Sequence, residues 1–120
     1  MKKVLILGAG FVTAPMVEYL LKENFQVSVG DLDLKKAKSL IKNHPNGTAL
    51  EINVNDKKNL TESVQNSDLV VSLLPWIFHL KVAEVCLSLK KHLVTSSYVK
   101  PEMAALDKDV KSAGLIFLNE

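Results

Sequence analysis

The sequence predicts an α/β fold: one domain over residues 1–120, built on a doubly wound sheet of six parallel strands in the order 3-2-1-4-5-6. Three observations carry this expectation. Short apolar runs alternate with amphipathic stretches along the whole chain, which is the pattern of βαβ units. The first run, Val4 to Leu7, passes directly into Gly8-Ala9-Gly10 and then into a stretch with Val17, Leu20 and Leu21 at helical spacing. A second run, Val27 to Val29, closes on Asp31, about 20 residues beyond the glycines. Right-handed crossovers then dictate the strand order.

The opening unit accounts for its own residue types. Gly8 lets the chain turn sharply out of the first strand, and Gly10 has no Cβ, so a pyrophosphate can approach the backbone. The helix that follows aims its free N–H groups and positive dipole end at the phosphates. At Asp31 a carboxylate can accept hydrogen bonds from both hydroxyls of an adenosine ribose, and it would repel a 2′-phosphate. Strand, glycine turn, helix, strand and acid make a Rossmann dinucleotide-binding unit with a preference for NAD over NADP. Where the pattern has a third glycine the chain has Thr13. Thr13 is expected to cap the helix, with Pro15 tolerated in its first turn.

The remaining elements follow in order. Asp33 caps a second helix whose inner stripe is Leu34, Ala37, Leu40 and Ile41, with Lys35, Lys36, Lys38 and Lys42 on the solvated side. One of these lysines binding a 2′-phosphate is the rival reading of that face. His44-Pro45-Asn46-Gly47 breaks the chain. Ala49 to Val54 reads as the third strand, with Leu50, Ile52 and Val54 on one side. Asn55-Asp56 caps a short helix through Val64 with a thin stripe, Leu60 and Val64. Leu69 to Leu74, ended by Pro75, reads as a strand buried on both faces. Phe78, Val82, Val85, Cys86 and Leu89 form the stripe of the fourth helix. His92 to Thr95 is the fifth strand and leads into Ser96-Ser97-Tyr98. Pro101 suits the first turn of a last helix, with Met103, Leu106 and Val110 inward and Gly114 at its end. Leu115 to Leu118 is the sixth strand.

Bulk properties bound the function. The chain has 120 residues, 48% apolar and 23% charged, which suffices for one core. Its net charge of +2 comes from scattered lysines, so no basic patch points to nucleic acid or to a membrane surface. No apolar run approaches the length of a membrane span. Met1-Lys2-Lys3 leads straight into a strand, so no targeting segment is expected. Cys86 stands alone, which excludes an internal disulfide and suits a reducing, cytoplasmic setting. It is expected to be a small core residue rather than a nucleophile. His44 has no second His or Cys at metal-binding spacing, so no metal site is expected.

In doubly wound sheets, ligands bind outside the carboxyl ends of the strands, at the switch point between strands 1 and 4. That rule gathers Gly8, Ala9, Gly10, Phe11 and Val12 with Asp31, Asn53, Val54, Leu74, Pro75, Ser96, Ser97 and Tyr98 on one rim.

Four segments resemble the amino-terminal dinucleotide-binding part of saccharopine dehydrogenases of the glutamate-forming type. They are residues 7–15 (LGAGFVTAP), 71–79 (VSLLPWIFH), 92–98 (HLVTSSY) and 113–120 (AGLIFLNE), in the family's order. The combination of SLLPxxxH with VTSSY is far more specific than the glycine turn. Carboxynorspermidine dehydrogenases and other relatives share the fold, so the substrate is less constrained than the family. The resemblance implies that Ala9 to Val12 hold the pyrophosphate and that residues 30–32 surround the adenosine ribose. NADP-using members carry arginine where Leu32 stands, which again favours NAD. Asn53-Val54 replaces an Asp-Val pair near the adenine end, Leu74 and Ser96 lie along the cofactor toward the nicotinamide, and Ser97 and Tyr98 match substrate-touching positions. The implied reaction removes a hydride from the carbon beside a secondary amine, and the imine then hydrolyses to L-glutamate and aminoadipate semialdehyde. The family's large substrate and dimerisation domain is expected to be absent, so this chain should bind dinucleotide without turning over saccharopine. The apolar flank left by that domain is a candidate homodimer surface.

No residue is assigned as catalytic. His79 could transfer a proton, but a helix-terminal hydrogen bond shaping the Pro75 turn is the preferred role. The alternative function is a regulatory module that senses NAD or NADH, like the nucleotide-binding domains of potassium-channel regulators. A sensor does not need Ser96-Ser97-Tyr98 at the nicotinamide end, and SLLPWIFH resembles the dehydrogenase.

Overall fold

Period-2 alternation inside strands and 3.6-residue periodicity inside helices sort the apolar residues into two layers, one on each side of a parallel sheet. The computed structural model describes residues 2–10, 13–95, 107–112, 114 and 117–118. The elements run β1 (Lys3–Leu7), α1 (Thr13–Lys22), β2 (Gln26–Asp31), α2 (Leu34–Ile41), β3 (Gly47–Glu51), α3 (Lys57–Gln65) and β4 (Leu69–Ser72). A 3-10 turn (Trp76–Phe78), α4 (His79–Ser88), β5 (His92–Thr95) and α5 (Asp107–Ser112) follow.

The strands lie in the order β3-β2-β1-β4-β5, all parallel, as the crossover argument predicts. Outside β5 the chain adds a two-residue ladder, Leu93 with Phe117 and Val94 with Leu118. The rest of the expected sixth strand, Leu115 and Ile116, lies outside the described residues, as do Pro101, Met103 and Leu106 of the expected last helix. Val110 of α5 is buried, and Gly114 follows it with φ +70°, as a helix-ending glycine should.

β1 is the centre of the sheet and all of Val4 to Leu7 is buried. Leu5 and Leu7 point into one layer with Leu60, Val64, Val82, Cys86 and Leu93. Val4 and Ile6 point into the other with Val17, Leu21, Ala37 and Ile41. Each large aliphatic side chain buried this way stabilises the fold by roughly 1.5–3 kcal/mol. Asp33 caps α2 by accepting from Lys35 N, and Asp56 caps α3 by accepting from Asn59 N. Lys35, Lys36, Lys38 and Lys42 are all exposed.

Three boundaries differ from expectation. β3 runs from Gly47 to Glu51 rather than from Ala49 to Val54. The Asn53 side chain accepts from Asn55 N, a local turn that takes the chain out of the ladder, yet Leu50, Ile52 and Val54 still share one layer. β4 ends at Ser72 rather than Leu74. Leu73 N donates to Leu7 O at 2.9 Å, but Leu7 is the last residue of β1, so the ladder has no partner beyond it. Thr13 is not a cap but the first residue of α1. Among the described residues no helix is long and apolar enough to cross a membrane.

Candidate functional site

The site is built where β1 and β2 end side by side. Leu7 pairs with Gly30, and Gly8 N donates to Gly30 O at 2.8 Å. Gly8 has φ +104°, which an L-residue rarely adopts, and it turns the chain over the sheet edge. The buried Thr13 hydroxyl donates to Gly8 O at 2.9 Å, while Thr13 N donates to Gly10 O at 3.1 Å. Thr13 therefore ties the start of the turn to the start of α1, a closure that the usual third glycine would leave to packing alone.

Asp31, the last residue of β2, completes the turn. Its Oδ2 accepts from Ala9 N at 2.8 Å and its Oδ1 from Asp33 N at 2.8 Å. The carboxylate is thus fixed in space, half-buried, beside the glycine turn. A carboxylate has about four lone-pair sites, so each oxygen can still accept a hydroxyl.

A hollow of about 250 Å³ opens beside this acid. It is lined by Leu7, Gly30, Asp31, Leu32, Ile52, Asn53, Val54, Asn55, Leu74, Pro75 and Phe78. Five of these are rim residues expected from the sequence: Asp31, Asn53, Val54, Leu74 and Pro75. Gly8, Ala9 and Gly10 stand at its β1 side as the turn. Leu32, also expected at the site, is 69% exposed. Phe11, Val12, Ser96, Ser97 and Tyr98 lie outside the described residues. A larger hollow of about 370 Å³ lies between α3 and α4; it shares Val54 and Asn55 with the first but is lined by neither the glycine turn nor Asp31.

Gly10 tests whether a dinucleotide fits. It is exposed, its φ is not in the left-handed region, and a Cβ built there meets nothing within 4 Å. Neither backbone strain nor packing calls for a glycine at this position. The open space over the turn is what a pyrophosphate against the backbone requires, so the residues present fit the group.

The sequence reading did not single out Leu7, Ile52, Asn55 or Phe78 as lining residues, whereas Gly30 was expected beside the ribose with Asp31 and Leu32. Gly30 held a usable signal, a glycine inside a strand. A Cβ there would collide with Ile52 Cδ1, so the glycine admits the Ile52 side chain to the wall of the hollow.

His79 opens α4 and is 3% exposed. The α4 stripe that carries Val82, Ala83 and Cys86 turns it inward, with the backbone of Leu74, just before Pro75, acting on its ring. Burial holds its pKa below the ordinary histidine value, partly offset by the Leu74 backbone. Burial also pushes the Cys86 thiol up to about 12, which makes it a core residue as expected. Among the described residues no group of three metal-ligating side chains comes together.

Comparison with known proteins matches residues 4–118 to the model described as the saccharopine dehydrogenase NADP binding domain. A saccharopine dehydrogenase [NADP(+), L-glutamate-forming] from Pyricularia oryzae is 41% identical over 119 residues, covering 99% of this chain and 26% of that protein. The mitochondrial alpha-aminoadipic semialdehyde synthase of Bos taurus is 36% identical over 99% of this chain and 13% of its own length. Apo saccharopine dehydrogenase (L-Glu forming) from Saccharomyces cerevisiae superposes with a TM-score of 0.91 at 34% identity, covering 100% of this chain and 27% of that one. The chain thus spans about a quarter or less of these relatives.

Proposed function

The chain belongs to the saccharopine dehydrogenase family, and from that premise we propose that residues 1–120 are the dinucleotide-binding domain of an oxidoreductase acting on saccharopine or a related secondary amine. One observation carries the reading. Asp31 is locked between Ala9 N and Asp33 N beside a glycine turn whose Gly10 leaves open space. In this reading the Ala9 to Val12 turn and the start of α1 take the pyrophosphate. Asp31 takes the adenosine ribose, and the walls at Leu32, Ile52, Asn53 and Val54 take the adenine. Leu74, Pro75 and Ser96 run toward the nicotinamide, and Ser97 and Tyr98 touch the substrate. The two-residue ladder at Phe117–Leu118 belongs, in this reading, to a sixth strand that completes the order 3-2-1-4-5-6.

The dinucleotide, when bound, supplies the hydride acceptor. This chain's part is orientation: it fixes one end of the cofactor so that the reactive end has a single position. The cofactor is NAD rather than NADP. The negative charge of Asp31 would repel a 2′-phosphate, and the neighbouring Leu32 offers it no counter-charge. This chain alone is expected to bind cofactor without turnover, since it spans only about a quarter or less of the relatives it matches.

Calorimetric titration with NAD and NADP in parallel, on wild type and Asp31→Ala, tests the reading. NAD is expected to bind more tightly, with the preference reduced at least about tenfold by the substitution, a change of about 1.4 kcal/mol. Absence of binding by either dinucleotide would sink the proposal. Tighter NADP binding would overturn the ribose assignment and shift attention to Lys35 and Lys36.

A further inference from the structure

A free carboxamide can read adenine with both ends, accepting through its oxygen from the 6-amino group while donating through its nitrogen to a ring nitrogen. Asn53, Asn55 and Asn59 cluster where the chain passes from β3 to α3, and each has its side-chain oxygen already engaged. Asn53 Oδ1 accepts from Asn55 N at 2.9 Å, and Asn59 Oδ1 accepts from Asn53 N at 2.9 Å. Asn55 Oδ1 accepts from Lys81 Nζ, which reaches over from α4. The chemistry of the partners fixes these orientations, because a backbone N–H and an ammonium can only donate. A reversed carboxamide would set donor against donor.

Asn53 and Asn55 also line the hollow beside Asp31, whereas Lys81 lines only the larger hollow between α3 and α4. The unengaged end of each of these two carboxamides is its NH2 group. The backbone of the same wall has its acceptors in use as well. The carbonyl oxygens of Gly30, Asp31 and Asn53 accept from Gly8 N, Ile52 N and Asp56 N at 2.8, 3.0 and 2.9 Å. The Asp31 carboxylate, already bound to Ala9 N and Asp33 N, is the group assigned to the ribose.

We propose that the base end of this site is a rim of hydrogen-bond donors. Asn53 and Asn55 read acceptor atoms of the purine, the ring nitrogens N3 and N7 that adenine shares with hypoxanthine, and they leave the 6-amino group unread. Lys81 is a positioning residue that holds the Asn55 carboxamide with its oxygen turned away from the base. The site therefore takes a 6-oxopurine dinucleotide as readily as the adenine one. A site rejects an analogue strongly only where the missing group leaves a protein partner unpaired, and no side chain here waits for the 6-amino group. This deepens the dinucleotide reading given above and rests on it.

Calorimetry with NAD and nicotinamide hypoxanthine dinucleotide, on wild type, Asn53→Asp and Lys81→Met, tests the proposal, with circular dichroism verifying each fold. Wild type is expected to bind the hypoxanthine dinucleotide no more than about threefold more weakly than NAD. In Asn53→Asp one carboxylate oxygen keeps the bond from Asn55 N, and the other replaces the NH2 group with an acceptor. That oxygen binds the 6-amino group and repels a 6-oxo group, so the ratio should move toward NAD by at least about fivefold. Any loss of affinity from the added negative charge is common to both dinucleotides and cancels in the ratio. Lys81→Met, at an exposed position, releases the Asn55 oxygen and should move the ratio in the same direction. A stronger wild-type preference for NAD, or an unchanged ratio in the folded variants, would overturn the inference while leaving the dinucleotide reading intact. Should Asn53→Asp fail to fold, wild type and Lys81→Met decide the matter. No binding of either dinucleotide would overturn the dinucleotide reading, and the inference with it.

Discussion

Gly8 and Gly10 stand two residues apart in one turn, and the structure predicts opposite consequences for the same change. Gly8→Ala places a side chain at φ +104°, with its Cβ 3.2 Å from both the carbonyl carbon and oxygen of Leu73. The left-handed backbone alone costs roughly 1–2 kcal/mol. The close approach adds to this, because Leu73 is backbone held by its own bond to Leu7 O and cannot swing away. A total of roughly 2–3 kcal/mol should lower the melting temperature by about 10 °C in a chain of this size. Gly10→Ala meets nothing within 4 Å and needs no unusual φ. Its stability should stay within about 0.5 kcal/mol of wild type, or rise slightly because the unfolded chain loses freedom. Dinucleotide affinity should nevertheless fall at least about tenfold, because the new methyl occupies the space meant for the pyrophosphate. Thermal melts and NAD titrations on the same two preparations separate the effects. A Gly10→Ala protein that binds like wild type, or that melts as low as Gly8→Ala, would refute the reasoning.

Two other expectations follow from the same geometry. Gly30→Ala drives a Cβ into the Ile52 side chain and to 3.3 Å from Leu7 Cδ2, so overpacking should cost about 1–3 kcal/mol in urea melts and weaken dinucleotide binding through the displaced wall. An unchanged urea midpoint would count against that packing. Cys86, buried and with its thiol pushed up to about 12, should not react with an aromatic disulfide reagent near pH 8 until urea unfolds the chain. Rapid labelling of the native protein would contradict its place in the core.

Much of this molecule was legible because its signals are local. Val4 to Leu7 is an unbroken apolar run because β1 is covered on both sides, and a run of that kind announces a central strand. Asp33 and Asp56 cap their helices as their positions suggest, since a cap needs only the next two or three N–H groups. Asp31 was recognisable from its distance to the glycines. The end of β3 was harder to read, because the side chain of Asn53 competes with the ladder for backbone N–H groups and periodicity does not register that competition.

By itself the sequence determined the order and type of the described elements and the strand order from β3 to β5. Those follow from periodicity, glycine placement and crossover handedness, which act along the chain or on every chain of this class. Only the tertiary structure decided that the Thr13 hydroxyl closes the glycine turn onto Gly8 O rather than capping α1. It likewise decided that Ile52 reaches past Gly30 into the hollow, and that His79 turns inward. Each depends on how closely two separately folded segments approach, and that separation is set by the packing of the whole sheet and its two helical layers.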